Sequence, residues 1–300
     1  MKKMSITPTI SLLINPKFPS CNSLLIEDKR VALIDTGLGI DWIRKILKEI
    51  EIDILINSHT HPDHAAANYI ISGITSAQIY VPEQEKGNTK SLDDMKKKLG
   101  VWGKYIEPSW DKIILEGTGF KESERETPFG EGHIFDLGKT QLEAVHTPGH
   151  SPGHFCFLIR DQELFFASDL GLDSFGPWYG YLDSNIPQYL YTIEKVRKIK
   201  IKRTISSHFD NVIHNLNKEL NRCLEIISNR ENRIVELLKE QQRDISDLSK
   251  YGIIYRNLNN FQGPMREFWT FFEENMIKKH LRVLIGSDKV KEENGYYITL

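Results

Sequence analysis

Hydrophobic residues in the first 215 positions come mostly in short runs separated by polar turns. Two apolar runs within residues 22–37 flank a charged turn at 27–30, and this pattern predicts a β-hairpin. A second hairpin is predicted for residues 155–169. Further strands are predicted for residues 52–57, 77–81 and 203–209. Strands that come mostly as hairpins indicate a mixed sheet and not a purely parallel βαβ series.

Apolar residues at helical spacing lie between these strands. Residues 41–50, "DWIRKILKEI", place Trp42, Ile43 and Ile46 on one face, as an amphipathic helix does. Further helices are predicted for residues 63–73 with Gly73 as the end, for 89–100, and for 187–199. The Gly-, Glu- and Pro-rich stretch between residues 101 and 130 is predicted to be loop. The whole pattern predicts an α+β fold in which helices cover a mixed sheet.

The composition changes after about residue 215. Two long helical patterns, at 217–252 and 264–286, are followed by a hairpin signal at Glu293-Asn294-Gly295. Helices followed by a hairpin resemble a winged-helix module. A helical appendage that packs on the core or forms a homodimer is an equally weighted alternative. We therefore predict one domain at residues 1–215 and a helical, winged-helix-like region at 216–300.

The bulk composition narrows the class of protein. The chain has 300 residues, of which 40% are hydrophobic and 27% charged, and its mean hydropathy is −0.39. No apolar run approaches the roughly 18 residues of a membrane span, and the N-terminus lacks the features of a signal peptide. The formal net charge of −2 gives no strong attraction to nucleic acid. Three cysteines without CxxC spacing favour a reducing compartment, so we predict a cytoplasmic protein without a membrane partner.

Four residues of metal-ligand type crowd into "NSHTHPDHAAANYI", residues 57–70. Alternate side chains of an extended segment share a face, so His59 and His61 can aim at one point beyond the predicted strand. Asp63 and His64 lie at the start of the predicted helix and can aim at a neighbouring point. Imidazole nitrogen and carboxylate oxygen suit zinc, and also iron or manganese. The spacing predicts a metal site, and a histidine-rich surface loop is the simpler alternative.

Three further residues of ligand type occur where predicted strands meet loops. His150 lies in "HTPGHSPGH" (146–154), Asp169 in "FFASDLG" and His208 in "TISSHFD". Functional sites of sheet proteins gather in such loops. His214 competes with His208, but it lies past the strand end, so His208 is preferred.

With these residues in place, the chain resembles the metallo-β-lactamase superfamily hydrolases over about residues 10–215. The resemblance is carried by the intact His-x-His-x-Asp-His motif, and it implies a four-layer αββα sandwich with a two-metal site at one edge. It implies a first metal bound by His59, His61 and His150, a second bound by Asp63, His64 and His208, and Asp169 as the bridge between them. Asp35, in "LIDTG", also matches a family position and would support the site without binding metal.

Seven ligands around two metals leave positions open for water, whose pKa on zinc falls to about 7. The expected nucleophile is a metal-bridging hydroxide, with Asp63 as the catalytic residue that helps to orient it. The expected cofactors are two divalent ions, Zn²⁺ first, with Fe or Mn as alternatives. The chain is similar to hydroxyacylglutathione hydrolases, which favours a thioester or related carboxylic ester as the small-molecule substrate.

Other functions stay open. Relatives with a winged-helix-like segment include enzymes that act on RNA, so a metal-dependent ribonuclease or phosphodiesterase is the second hypothesis. The basic stretch at 195–203 suits it, but the acidic share of the C-terminal region argues against a nucleic-acid partner. A non-hydrolytic iron persulfide dioxygenase is the third. The complete ligand set argues against a binding module with an inactive site.

The remaining residues of interest receive simpler interpretations. The aromatic residues Phe175, Trp178, Tyr179 and Tyr181 in loop 171–184 either wall a pocket beside the metals or pack the loop on the core. His154 is expected to hydrogen-bond to a metal ligand and His146 to be structural. His133 and His280 are expected at the surface or in packing. Cys156, within "FCFLI", is expected in the core and not as a nucleophile.

Overall fold

Short apolar runs form two facing β-sheets in the structure, a computed structural model that describes residues 2–300. The first sheet contains, in spatial order, β1 (Lys2–Ser5), β2 (Ile10–Ile14), β3 (Ser23–Glu27), β4 (Val31–Ile34), β5 (Ile54–Ile56), β6 (Gln78–Pro82) and β7 (Thr127–Phe129). Strands β1 to β4 are antiparallel, and β4 to β7 are parallel. The parallel half brings the carboxyl ends of β4 and β5 to one edge, where the loops that carry polar residues begin.

The second sheet consists of six strands that lie side by side in chain order. They are β8 (Ile134–Asp136), β9 (Gln141–His146), β10 (Phe155–Ile159), β11 (Leu164–Phe166), β12 (Arg203–Ser206) and β13 (Phe209–Ile213). Only the pairing of β11 with β12 is parallel. The hairpin predicted for residues 155–169 is therefore present as β10 and β11.

Helices cover the outer faces of both sheets. They are α1 (Ile40–Glu49), α2 (Pro62–Ala65), α3 (Asn68–Ile74), α4 (Leu92–Leu99), α5 (Glu107–Trp110), a π-helical turn (Asp111–Leu115), α6 (Glu116–Thr118), α7 (Ile186–Val196), α8 (Leu216–Glu240), α9 (Ile245–Ser249) and α10 (Gly263–Gly286). Three-residue 3₁₀ turns occur at Glu83–Glu85, Arg160–Gln162 and Leu258–Asn260. The chain ends in the hairpin of β14 (Val290–Glu293) and β15 (Tyr296–Thr299).

Alternation along the strands explains the layers. On β10, Phe155 and Phe157 pack between the two sheets, whereas Cys156 and Leu158 point to the outer face. That outer face is covered by α7, α8 and α10, and the outer face of the first sheet is covered by α1 and α3. The fold is α+β with helix, sheet, sheet and helix layers and a C-terminal helical extension, which confirms the predicted fold class.

The C-terminal helices share one hydrophobic core with the second sheet. Leu220 and Ile227 of α8 and Met276 of α10 belong to the same buried cluster as Leu158 and Phe165 of that sheet. The division at residue 215 stays a prediction, although α8 begins at Leu216. Within residues 2–300, none of the helices combines the length and the apolar character that crossing a bilayer requires.

The helix predicted for residues 63–73 is broken in the structure into α2 and α3. Two of its backbone groups bond to Thr36 in the neighbouring loop and not within the helix. The Thr36 amide donates to the His64 carbonyl oxygen (2.7 Å), and the Ala67 amide donates to Thr36 Oγ1 (3.1 Å). Ala67 consequently leaves helical geometry, with φ −108° and ψ 17°. The second segment also runs past Gly73 to Ile74.

Two other predictions at this level were wrong. The stretch between residues 101 and 130 contains helical residues from Glu107 to Thr118, because Pro108 fits a first turn and Ile106, Trp110 and Ile114 bury one face. The strand predicted for residues 203–209 ends at Ser206, and β13 follows as a further strand. His208 therefore lies in the turn between two antiparallel strands.

Candidate metal centre

Three imidazole nitrogens converge at the edge where β5 ends. His59 Nε2 lies 3.0 Å from His61 Nδ1, and His150 Nε2 lies 3.2 Å from His59 Nε2 and 3.0 Å from His61 Nδ1. His59 and His61 follow β5, and His150 comes from the loop between β9 and β10. All three residues are buried. The predicted first group of ligands is therefore brought together.

Hydrogen bonds at the far side of the rings show which nitrogens face the centre with a lone pair. His150 Nδ1 lies 3.0 Å from the Trp178 carbonyl oxygen, which only accepts, so the His150 proton is assigned to Nδ1. His59 Nδ1 lies 3.2 Å from Ser58 Oγ, whose own proton goes to Asp35. The two Nε2 lone pairs thus face one another without a proton between them. A cation about 2.0–2.1 Å from each nitrogen satisfies this arrangement, so the residues fit a divalent metal ion.

The second group lies beside the first and contains Asp63, His64, Asp169 and His208. His64 Nε2 is 3.2 Å from Asp169 Oδ1, and His208 Nε2 is 3.2 Å from Asp169 Oδ2. The Asp63 Oδ2 atom is 3.7 Å from His64 Nε2 and 3.6 Å from His208 Nε2. His64 Nε2 and Asp169 Oδ1 are buried, and within residues 2–300 neither atom has a hydrogen-bond partner in suitable geometry. These atoms are oriented as ligands of a second cation would be.

Asp169 lies between the two groups. Besides its contacts with His64 and His208, its Oδ2 atom is 3.5 Å from His150 Nε2. One carboxylate thus reaches imidazoles of both groups, which is the arrangement required of a bridging ligand. Among residues 2–300, the candidate ligand groups contain His208 and not His214.

The protonation of the first ligand group suits metal binding, whereas the Asp169 carboxylate outweighs burial and raises the pKa of His64 and His208, so a cation there would displace a proton. Burial lowers the pKa of His59, His61 and His150, so these imidazoles are neutral and can donate lone pairs. Burial alone would raise the pKa of Asp169, but the His208 and His64 imidazoles outweigh it and hold that pKa well below its ordinary value. Asp169 is therefore an ionised carboxylate that can serve two cations.

Asp35 orients His64 through the far side of the ring. Its Oδ2 atom lies 2.9 Å from His64 Nδ1, and the Ser58 amide and hydroxyl donate to the same carboxylate at 2.7 Å each. Asp35 is fully buried and has a φ of 64°, a left-handed conformation that Asp tolerates better than most residues. Asp35 thus directs His64 Nε2 towards Asp63 and Asp169, as support of a metal ligand requires.

His154 plays the same kind of role for Asp169. Its Nε2 atom accepts a hydrogen bond from the Asp169 amide (3.0 Å), and its Nδ1 atom donates to the Thr147 carbonyl oxygen (2.9 Å). Burial lowers the pKa of His154 to about 3, so the ring stays neutral and can accept. The other histidines pack as expected: His146 Nε2 lies 2.8 Å from the Pro152 carbonyl oxygen, and His280 is buried within the C-terminal region.

Glu85 joins the two loops that carry the first ligand group, and the sequence offered no signal for it. Its Oε2 atom accepts from the amide (2.6 Å) and the hydroxyl (2.7 Å) of Thr60, which lies between His59 and His61. Its Oε1 atom accepts from the Ser151 hydroxyl (2.5 Å) and the Gly153 amide (2.9 Å), just after His150. Glu85 is 3% exposed, so one buried carboxylate fixes the distance between these loops.

Two glycines permit the close approach of the loops. A Cβ atom on Gly37 would lie 1.3 Å from the Asp63 carbonyl oxygen, and one on Gly153 would lie 2.6 Å from Glu85 Cγ. Neither position can accept a larger residue without displacing backbone or a buried carboxylate. Glycine is therefore required at positions 37 and 153, because the loops of the site pack too closely there for a Cβ atom.

Both ligand groups open onto one cavity of about 620 Å³, a volume within the range of roughly 300–1,000 Å³ that small-molecule sites occupy. Its metal wall consists of His61, Asp63, His150, Asp169 and His208. Its aromatic wall consists of Phe175, Trp178 and Tyr181 from loop 171–184, and of Tyr255, Phe268, Trp269 and Phe272 from the C-terminal region. The C-terminal region therefore forms part of the cavity, a role that the sequence did not reveal.

The two interpretations of loop 171–184 each hold for part of the loop. Phe175, Trp178 and Tyr181 line the cavity. Tyr179 instead packs in the core, where its hydroxyl oxygen accepts from Arg230 Nη1 (2.9 Å) and lies 2.7 Å from His280 Nε2. The density of aromatic residues in "REFWTFFEEN" (266–275) was the available signal for the C-terminal part of the wall.

A family model described as the metallo-beta-lactamase superfamily matches residues 16–208. The matched part is more than half of the chain and contains all seven candidate ligands. The chain therefore belongs to the metallo-beta-lactamase superfamily.

Individual relatives show where the similarity is concentrated. The chain is 25% identical over 154 residues to the hydroxyacylglutathione hydrolase GloC of Haemophilus influenzae, covering 50% of this chain and 66% of the relative. It is 26% identical over 220 residues to an atrochrysone carboxyl ACP thioesterase of Aspergillus fumigatus, covering 71% and 57%. The chain thus spans less than two thirds of the length of these relatives. Together with the His and Asp cluster, they support a metal-dependent enzyme.

Solved structures share the whole fold. A metallo-beta-lactamase family protein from Thermus thermophilus superposes with a TM-score of 0.76, covering 99% of this chain and all of its own, at 19% sequence identity. At this identity the likeness concerns the fold alone. It extends over the C-terminal helices as well as the sandwich.

Proposed function

We propose that this chain is a binuclear metal-dependent hydrolase that cleaves a thioester or a related carboxylic ester. The observation that carries the proposal is the pair of ligand groups joined at Asp169 and open to one cavity. The proposed ligands are His59, His61 and His150 for one ion and Asp63, His64 and His208 for the other, with Asp169 shared. The names of the hydroxyacylglutathione hydrolase and thioesterase relatives support the substrate class.

Two divalent ions, Zn²⁺ in first place, would activate a water as hydroxide and polarise the scissile carbonyl oxygen. Asp63 is the proposed catalytic residue, because its carboxylate is partly exposed at the cavity and would help to orient the attacking hydroxide. A hydroxide would add to the carbonyl carbon and the carbon–sulfur bond would break. The leaving sulfur would take the proton of the hydroxide, so the products would be a carboxylate and a thiol. The buried Cys156, whose pKa burial raises to about 12, takes no part.

The cavity itself argues against the nuclease hypothesis. Among the described residues that line it, none is a lysine or an arginine. A nuclease needs cations along the path of the phosphate backbone. The second ligand group, in turn, supports a binuclear site over the single iron of a persulfide dioxygenase.

Metal analysis and a comparative assay test the proposal. Protein purified without chelator should contain about two ions per chain if the site is binuclear. Hydrolysis should then be found on acyl-thioesters or lactones and not on single-stranded RNA. One tightly held iron per chain, together with oxygen consumption in the presence of a persulfide, would contradict the hydrolase.

We also propose a cytoplasmic location, supported by three buried cysteines that are all unpaired. A homodimer through the C-terminal region stays a prediction. Size-exclusion chromatography with light scattering decides between a mass near 34.7 kDa and twice that value.

A further inference from the structure

The aromatic wall forms a continuous path of side-chain contacts from the metal wall to the outside. The Tyr181 ring lies 4.8 Å from the His61 ring, and Phe272 lies 5.3 Å from Tyr181. Phe268 lies 4.9 Å from Phe272, and Trp269 lies 4.9 Å from Phe268. Each distance joins ring centroids and is typical of a direct aromatic contact. A flat ligand placed against this wall would reach the metal wall with one end.

The path ends at Phe18, which is 54% exposed and also lines the cavity. Its ring centroid lies 5.6 Å from that of Trp269. The N-terminal loop and helix α10 therefore meet at the mouth of the cavity. The apolar surface extends from the buried centre to solvent.

The polar groups of the aromatic wall are hydrogen-bond donors. The Trp110 indole donates to the Tyr181 oxygen (2.9 Å), and the Trp178 indole donates to the Tyr255 oxygen (2.7 Å). Each phenol therefore keeps its own proton for another acceptor, and within residues 2–300 neither proton has one. Trp269 Nε1 is buried and likewise has no partner among these residues. Burial raises the pKa of both tyrosines, so these hydroxyls stay protonated at neutral pH.

The cavity offers an anionic ligand no partner at this wall. The described lining residues include no lysine or arginine to pair with an anion. Two carboxylates lie outside the metal group and accept from uncharged donors: Asp173 Oδ1 from the Phe175 and Gly176 amides (2.9 and 3.0 Å), and Asp210 Oδ1 from Asn22 (3.4 Å). Burying an unpaired anion beside these carboxylates and against the electron-rich faces of the rings is unfavourable.

We propose that the aromatic wall holds the acyl part of the substrate, and that this part is an aromatic group without a negative charge that carries hydrogen-bond acceptors such as ether, hydroxyl or carbonyl oxygens. The proposal rests on the proposed ester or thioester hydrolysis and names its substrate class. The carbonyl carbon under attack would lie at the metal wall. The ring would stack along Tyr181, Phe272 and Trp269, with an oxygen acceptor within reach of a free donor.

A matched set of thioesters tests the preference on the full-length protein with its metals. The substrates are N-acetylcysteamine thioesters of 4-methoxyphenylacetate and 4-carboxyphenylacetate, which share a leaving group and an arylacetyl frame and differ in the charge of the para substituent. The kcat/KM for the neutral compound should exceed that for the carboxylate compound by at least about 10-fold. Equal or higher kcat/KM for the carboxylate compound would overturn the proposal.

Two variants assign that preference to the wall. Trp269→Arg places a cation beside Phe268 and should raise the ratio of kcat/KM for the carboxylate compound to that for the neutral one by about 10-fold or more. Trp102→Arg changes an exposed tryptophan outside the cavity lining and should leave the ratio unchanged. The same shift in both variants, or no shift in either, would contradict the assignment.

A ligand without a cleavable bond separates this inference from the proposed hydrolysis. The ketone 4-methoxyphenylacetone should bind the metal-loaded protein and quench its tryptophan fluorescence, and Trp269→Arg should weaken this binding. Thioester hydrolysis without ketone binding at millimolar concentration would overturn the aromatic site and leave the hydrolase proposal standing. Ketone binding without hydrolysis of any ester or thioester would support the aromatic site and refute the hydrolase proposal.

Discussion

The two walls of the cavity are held in place by different forces. The metal wall consists of polar side chains on loops that donate hydrogen bonds to buried acceptors. His154 accepts from the Asp169 amide, and Glu85 accepts from the loops that carry His61 and His150. The aromatic wall is held by apolar packing and by a few hydrogen bonds to the C-terminal helices. A hydrogen-bonded cluster depends on each atom, whereas a packed surface distributes its energy over many weak contacts. The metal wall should therefore lose function steeply on single substitutions, and the aromatic wall should change gradually.

The steepest effect is expected at His61. Removing one proposed ligand from the first group should lower activity by about 10³-fold or more, because a metal contributes several kcal/mol of transition-state stabilisation. His61→Ala should also reduce the metal content, as measured by elemental analysis of the purified protein. His133→Ala, at a half-buried histidine that packs against aromatic rings, is the matched control. Turnover retained in His61→Ala would refute the role given to His61.

A smaller effect is expected at Glu85, which touches no proposed metal atom. In Glu85→Gln an amide NH₂ replaces one acceptor oxygen, so the hydrogen bonds to one of the two ligand loops are lost. The loss of such a supporting contact costs about 10–100-fold in metal affinity, which a competition titration with a chromophoric chelator measures. The exposed neighbour Glu83 provides the control variant Glu83→Gln. Equal metal affinity in the wild type and Glu85→Gln would show that the two ligand loops keep their relative position without the Glu85 carboxylate.

The aromatic wall is tested through Arg230 of α8, a buried residue that fixes loop 171–184. Its Nη1 atom donates to the Pro177 carbonyl oxygen (2.7 Å) and to the Tyr179 hydroxyl (2.9 Å). Arg230→Met should lower the free energy of unfolding by about 2–3 kcal/mol, because buried hydrogen bonds from a charged donor are lost. It should raise KM more than it lowers kcat.

Urea unfolding measures the stability, and Arg233→Met, at an exposed arginine of the same helix, is the control. If Arg230→Met were as stable as Arg233→Met, Arg230 would not be the residue that stabilises loop 171–184. A loss of kcat without a change in KM would instead link the loop to the metal wall.

The smallest effect on activity is expected at Cys156, on β10 between the sheet and its covering helices. Burial raises the pKa of this thiol to about 12, so it carries no nucleophilic thiolate at neutral pH. Cys156→Ala should retain kcat/KM within about 2-fold and cost about 1 kcal/mol of stability from lost packing. Activity assays before and after treatment with a thiol-alkylating reagent check the same point. If the reagent inactivated the wild type but not Cys156→Ala, that result would support covalent catalysis by Cys156.

The difference between the walls also explains which parts of the molecule were predictable. The spacing of His59, His61, Asp63 and His64 is local, and a strand that leads into a helix start is enough to bring them to one edge. His150, Asp169 and His208 could be named because each follows a strand of the same sandwich. Hairpins and amphipathic helices were predicted for the same reason, since their patterns repeat over a few residues.

Predictions failed where distant parts of the chain compete with local preference. The helix after His64 breaks because Thr36, about thirty residues earlier, takes part in its hydrogen bonds. The segment around Trp110 looked like loop because Gly and Pro residues surround its apolar positions. Glu85 had no signal at all, because its four hydrogen bonds join two loops that are far apart in the sequence.

The sequence by itself determined the fold class, the superfamily and the set of residues from which a metal centre can be built. Those features depend on the hydrophobic periodicity of strands and helices and on one motif, and both can be recognised within a few neighbouring residues. Only the tertiary structure decided that the buried Glu85 joins the two loops that carry the first ligand group. It alone placed Tyr255, Phe268, Trp269 and Phe272 on the same cavity as the histidines. The physical reason is that apolar side chains pack wherever apolar area can be buried. Which side chains become neighbours therefore depends on the whole fold and not on spacing along the chain.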